Sequence, residues 1–296
     1  MTSTVDAGDL LVAFESAGPP NGVPAILLHG FPYDVRAYDE VTPRLVAAGC
    51  RVIVPYLRGY GATTFRSATT LRSGQQAVLA QDLRSLMDAL SIERALLAGY
   101  DWGGRAACIV AALWPERVIG LVSGNGYNIQ DIAAAVEPQL PQDEYRYWYQ
   151  FYLHGERGRR GLERNRHAFC KLLWQLWSPT WAFDDATFAR TARSFDNPDF
   201  VDVVVHSYRH RYGLVAGANN ADEVERHLAL LPSIAVPTIT LDGDADGVLP
   251  AGSSAPHAHR FTGPYARRVV AGAGHNLPQE APAEFAAAVV ALLSKG

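Results

Sequence analysis

Residues 94–113 read Arg94-Ala95-Leu96-Leu97-Ala98-Gly99-Tyr100-Asp101-Trp102-Gly103-Gly104-Arg105-Ala106-Ala107-Cys108-Ile109-Val110-Ala111-Ala112-Leu113. The apolar run Arg94–Ala98 predicts a strand, and Arg105–Leu113 predicts a helix. A strand that turns abruptly into a helix brings together the residues two before and two after the turn residue. Gly99 and Gly103 remove the side chains that would collide there. The turn residue, Asp101, is then held exposed in a strained backbone, the arrangement called a nucleophile elbow. A carboxylate is already ionised at neutral pH and needs no base to attack carbon; the attack leaves a covalent alkyl ester. An N-capping aspartate on a Gly-rich turn is the plainer reading of this hexapeptide. The rest of the chain decides between the two.

Before residue 94, short apolar runs at Ala25–Leu28 and Arg51–Val54 suit strands buried on both faces. Tyr38–Ala48 carries a helical pattern that ends at Gly49. Gln75–Leu90 is a clear amphipathic helix, with Val78, Leu79, Leu83, Leu86, Met87 and Leu90 on one face. A further strand follows the elbow at Val118–Ser123. From about residue 127 to about 230 strand signals vanish, aromatics and arginines crowd together, and Pro-containing breaks separate helical stretches. Trp148, Trp174, Trp177 and Trp181 all fall there. Strands return at Pro237–Leu241 and Arg267–Ala271, and Pro282–Leu293 closes the chain as a helix. Alternating strands and helices argue for a parallel sheet covered on both faces. The expected organisation is an α/β core, residues 1–126 and 231–296, interrupted by a helical cap at 127–230.

Composition narrows the function. The 296 residues are 48% apolar and 19% charged, as in an ordinary soluble globule, and a net charge of −4 gives no reason to expect nucleic acid or an anionic membrane. The arginine clusters at 157–160 and 209–211 read as solvated helix faces or ion pairs. Cys50, Cys108 and Cys170 are odd in number and lack metal spacing; Cys50 and Cys108 read as buried thiols in a reducing compartment. No basic stretch followed by an apolar run opens the chain, and no segment is long and apolar enough to span a membrane. A cytoplasmic protein is expected, as a monomer or a homodimer.

Two later segments change the weight given to Asp101. In Leu241-Asp242-Gly243-Asp244-Ala245-Asp246-Gly247, acids lie at the carboxyl end of a predicted strand, where ligand sites of α/β sheets form. Of the three, Asp246 is best placed to reach across that edge. Gly272-Ala273-Gly274-His275-Asn276 then places a histidine in a Gly-bounded loop after a strand. Asp101, Asp246 and His275 thus run in the order nucleophile, acid, base. Upstream, His29-Gly30-Phe31-Pro32 follows a strand directly. Its Phe31 N–H, with that of Trp102, would form an oxyanion hole, while His29 itself is expected to brace the loop.

With an H-G-x-P loop and a G-x-D-x-G elbow, the chain resembles the α/β-hydrolase fold and, within it, the epoxide hydrolase family. The resemblance implies a mostly parallel eight-stranded sheet flanked by helices, with an inserted helical cap. It also implies two cap tyrosines that bind the epoxide oxygen. The family's Y-Q-x-Y stretch reads Tyr149-Gln150-Phe151-Tyr152 here and its Y-R pair reads Tyr208-Arg209, which assigns the roles to Tyr149 and Tyr208. Tyr145, Tyr147, Tyr152 and Tyr212 are expected to be packing residues. The implied partner is a small-molecule epoxide, opened by Asp101 to a hydroxyalkyl ester that His275-activated water hydrolyses to a vicinal diol. No metal or organic cofactor is called for.

Three positions depart from the family pattern: Tyr100 for histidine, Tyr56 for aspartate, and Asn276 for an aromatic residue. The nearest alternative is a haloalkane or haloacid dehalogenase, which uses the same Asp–His–Asp chemistry. Fluoroacetate dehalogenases are similar in the H-G-F-P loop and at Arg105, but carry arginine where Trp102 stands and favour histidine at Tyr149. Haloalkane dehalogenases share the tryptophan but not Phe31, and Trp174 or Trp177 could offer an indole N–H to halide. A non-catalytic small-ligand binding protein on a hydrolase scaffold is the third reading.

Overall fold

A computed structural model describes residues 2–293. In chain order its strands are β1 (Thr2–Ala7), β2 (Leu10–Ala17), β3 (Val23–Leu28), β4 (Cys50–Pro55), the two-residue β5 (Thr64–Phe65), β6 (Ala95–Gly99), β7 (Val118–Gly124), β8 (Thr238–Gly243) and β9 (Tyr265–Val270). They form one sheet in the order β1-β2-β4-β3-β6-β7-β8-β9, with β5 added on β2. The main path therefore has the expected eight strands, and β5 is a ninth off it. From β4 through β9 every pairing is parallel, whereas β1 and β2 form an antiparallel hairpin. The hairpin left little sequence signal because β1 is a largely exposed edge strand of polar residues.

The central strands are apolar on both faces because helices cover both. Every residue of β6 is buried, as are Ala25–Leu28 of β3. The expected helix over 38–48 is instead a 3₁₀ turn, Val35–Tyr38, and a short α1 (Thr42–Ala47). Pro43 explains the break: without an N–H, it fits only the first turn of a helix. The amphipathic helix α2 (Gln76–Ala89) buries Val78, Leu79, Leu83, Leu86 and Met87, and packs beside α3 (Asp101–Leu113). Between β7 and β8 lie six helices: α4 (Pro141–Arg146), α5 (Trp148–His154), α6 (Glu156–Trp177), α7 (Asp185–Ala192), α8 (Phe200–His210) and α9 (Asp222–Leu228). The chain closes with α10 (Leu277–Glu280) and α11 (Pro282–Leu293), the latter packed on β7. None of the described helices is long and apolar enough to cross a membrane.

Strand order explains why distant residues meet. The neighbours β3, β6, β7, β8 and β9 run parallel, so the loops after them emerge side by side at one sheet edge. Those loops carry Phe31, Asp101, Asn125, Asp246 and His275.

Candidate active site

Asp101 is the first residue of α3 and has φ +50°. A non-glycine residue held there costs roughly 1–3 kcal/mol, and the neighbours enforce it. A Cβ on Gly99 would sit 2.6 Å from the carbonyl carbon of Gly103, and one on Gly103 only 2.0 Å from the Leu28 carbonyl oxygen. The elbow geometry read from the sequence is therefore present. On the facing loop, a Cβ on Gly30 would lie 2.4 Å from that of Asp101, so only glycine lets the Phe31 amide approach. That amide donates to Asp101 Oδ1 at 2.8 Å. The Trp102 amide belongs to the first turn of α3, where an N–H has no intrahelical acceptor.

The second carboxylate oxygen, Oδ2, is 3.9 Å from His275 Nε2. That separation is an electrostatic contact rather than a hydrogen bond, and Nε2 has no partner among the described residues. The other ring nitrogen, Nδ1, donates to Asp246 Oδ2 at 2.8 Å. Asp246 also accepts the Val248 and Leu249 amides at 2.8 Å each and Asn125 Nδ2 at 3.0 Å. The His275 loop is clamped by Glu280, which accepts the Gly274 and Asn276 amides, while the end of α6 receives the His275 amide through the Trp177 carbonyl.

These contacts set the charges. Burial alone would lower the His275 pKa, but the Asp246 and Asp101 carboxylates outweigh it and push it up to about 10. Burial works to raise Asp101, yet His275, then Arg105 and the Phe31 amide, hold its carboxyl below the usual range. An ionised Asp101 thus faces a protonated imidazole, with one oxygen bound and one free. His29 is separate from this pair. It bridges Leu57 N and the Gly30 carbonyl, and burial lowers it to about 4, so it braces the loop as a neutral ring. Asp242 accepts from Ser254 and pairs with Arg267, and Asp244 accepts the Gly272 amide; of the three acids only Asp246 reaches His275.

Helices α5 and α8 bring Tyr149 and Tyr208 together, with ring centroids 5.3 Å apart and planes nearly perpendicular. Tyr149 lines a cavity of about 870 Å³ together with Asp101 and His275. Tyr208 is fully buried just behind that wall, 5.4 Å from the Phe31 ring and 6.1 Å from that of Trp102. Gln150 Nε2 donates to the Tyr149 hydroxyl at 3.0 Å, which leaves the phenol proton free, and the Tyr208 hydroxyl has no partner among the described residues. Burial raises both phenols, so both stay protonated at neutral pH.

Several expectations need correction. Tyr152 packs against Phe169, Tyr147 packs against the core and Tyr212 against Phe151 and His154 while both also line the cavity, but Tyr145 is exposed. The Trp174 indole N–H donates to the Pro32 carbonyl at 2.8 Å and is not free for halide. Two of the family departures explain each other: buried Tyr100 donates to Asn276 Oδ1 at 2.8 Å. Arg159 forms ion pairs with Glu163 and Asp202 as its cluster suggested, whereas Arg211 is buried and lines the cavity. Asn125 was not read from the sequence at all. It has no motif, and only the pairing of β7 with β8 brings it to Asp246.

Residues 24–282 match the family described as alpha/beta hydrolase fold. The chain belongs to that family, and it is a hydrolase. A candidate epoxide hydrolase from Klebsiella pneumoniae is 49% identical in sequence. It superposes with a TM-score of 0.96, over 98% of this chain and 96% of that one. Epoxide hydrolase A of Mycobacterium tuberculosis is 25% identical over 98% of this chain and 96% of its own length. A haloalkane dehalogenase of Psychrobacter cryohalolentis is 32% identical over 42% of this chain and 41% of its own.

Proposed function

We propose that this hydrolase converts an epoxide to a vicinal diol through an ester on Asp101, with residues 127–230 serving as a cap over the site. The observation that carries the reading is the pairing of two proton-bearing phenols, Tyr149 and Tyr208, beside a carboxylate whose Oδ2 is unbound. The full-length likeness to two proteins named as epoxide hydrolases supports it.

In the first step Oδ2 attacks an epoxide carbon, the carbon–oxygen bond breaks, and a tyrosine protonates the opening oxygen. An alkoxide is a poor leaving group, and a phenol neutral at pH 7 is a suitable acid. The ester carbonyl is then Oδ1, already held by the Phe31 amide. Esterification also removes the negative charge of Asp101, one of the two that keep His275 protonated. Its pKa falls toward neutrality, it gives up its proton to the tyrosinate, and Nε2 becomes able to take a proton from water. Hydroxide attacks the ester carbon, and the Phe31 and Trp102 amides hold the oxyanion. On collapse the departing diol oxygen takes the proton from His275, and the proton left on the Asp101 carboxyl passes to Nε2, which restores the imidazolium. Asp246 orients the imidazole, and Asn125 orients Asp246.

One observation favours a dehalogenase as the second reading: the Trp102 indole N–H is buried without a partner among the described residues. Turnover of aryl and alkyl epoxides beside chloro- and bromoalkanes separates the two. The proposal expects diol from the wild type and almost none initially from Asp101→Asn. Halide release with epoxides untouched would sink it.

A further inference from the structure

Two cations in the cavity play no part in the mechanism above. Arg105 stands one turn after Asp101 on α3 and is buried, with its Nε donating to the Asn128 carbonyl at 3.2 Å. Arg211 follows α8 and is 9% exposed; its guanidinium lies 4.3 Å over the Tyr208 ring. It donates to Ser207 Oγ at 3.3 Å, and its Nε is without a partner among the described residues. Both side chains line the same cavity as Asp101, and neither has an ion-pair partner among the described residues.

Burying a guanidinium without an anion is costly, and such groups are ordinarily paired. On the inner lining of the cavity Asp101 is the one carboxylate among the described residues, and it faces His275, so neither arginine has an acid of its own there. The remaining acids of the cavity, Asp131, Glu137 and Glu144, belong to its outer wall, where Asp131 and Glu137 are exposed. Arg105 is at i+4 from Asp101, so the two side chains share a helix face roughly 6 Å apart along the axis. A planar guanidinium fork recognises a carboxylate.

We propose that Arg105 and Arg211 form a carboxylate-binding subsite, and that the substrate is an epoxide bearing a carboxylate within a few bonds of the oxirane ring. The carboxylate would enter between the two guanidinium groups and set the ring against Asp101 Oδ2. The inference rests on the epoxide reading for the reacting group only; the subsite stands on the arginines.

Calorimetric titration of the wild-type protein with phenylacetate and with phenylacetamide tests the subsite without turnover. The acid is expected to bind at least about tenfold more tightly than the amide. Arg211→Gln removes that preference, and Arg211→Lys restores part of it. Equal affinity of the wild type for acid and amide overturns the subsite, whatever the variants do. The companion measurement compares kcat/KM for 3-phenylglycidate and its amide, with the same preference expected. If both epoxides yield diol at equal efficiency, the subsite is wrong and the epoxide reading holds. If phenylacetate binds preferentially but no epoxide is opened, the subsite holds and the epoxide reading is wrong.

Discussion

Replacing Asp101 with asparagine should change the acidity of His275 by an amount the structure allows one to work out. The two groups are 3.9 Å apart, so at an effective dielectric near 20 their attraction is about 4 kcal/mol, or roughly three pKa units. His275 is held at about 10 in the wild type, and Asp101→Asn should bring it to about 7. Asparagine can keep the Phe31 contact through its carbonyl oxygen, so geometry is preserved while the charge is lost. Nitrogen-15 NMR titration of the imidazoles reads this directly, with His275→Gln identifying the resonance among the nine histidines. The sign carries over to stability. A histidine whose folded pKa is raised stabilises the fold below its unfolded value and loses that contribution as pH rises through the folded one. The stability advantage of wild type over the variant should therefore fall as pH rises from about 7 to about 10. Should His275 titrate within about half a unit in both proteins, Asp101 does not hold its proton. Esterification would then not release the base, and the two-step logic fails.

Other outcomes follow from single contacts. Tyr208→Phe removes a buried hydroxyl with no partner among the described residues, so unfolding temperature should hold while epoxide opening slows by roughly 10²-fold or more; loss of both together would mark a structural role. Asn125→Ala withdraws one donor from Asp246 and should slow ester hydrolysis about tenfold, so that the Asp101 ester accumulates in rapid-quench mass spectrometry. Gly103→Ala forces a methyl against the Leu28 carbonyl oxygen and should destabilise by about 3 kcal/mol or more in urea unfolding. Tyr100→Phe leaves Asn276 Oδ1 buried without its donor and should cost about 1–3 kcal/mol; Tyr100→Phe with Asn276→Leu should recover part of it.

Much of the fold was legible because local patterns and global packing agree. The apolar runs that become β3, β4 and β6 are buried on both faces, and Pro282–Leu293 is a helix within the bounds its pattern gave. The misreadings have local causes. Pro43 splits what periodicity presented as one helix, and β1 is too polar and exposed to show itself. At the site, motifs foretold the groups whose chemistry demands special neighbours. Asp101 needs glycines around it, and His275 sits in a Gly-bounded loop. Positioning residues have no such signature. Asn125 matters through a hydrogen bond to the distant Asp246, and Glu280 through bonds that tie the Gly274 and Asn276 amides to the distant Ser178.

By itself the sequence determined the elbow, since steric exclusion at Gly99 and Gly103 acts over a few residues and is written locally. It also determined the chain order of Asp101, Asp246 and His275, because each follows its own strand. The loop favoured Asp246 among three aspartates, but only the tertiary structure decided its contact with the imidazole, because a hydrogen bond depends on position to within a fraction of an ångström. The same holds for the arginines. As residues in a basic run, Arg209-His210-Arg211 read as a solvated helix face or ion pairs; packing of α8 over the cavity leaves Arg211 buried against Tyr208, in one cavity with Arg105 and with no ion-pair partner among the described residues. Burial is a property of the assembled chain, and it turns a common surface charge into a group that requires a partner.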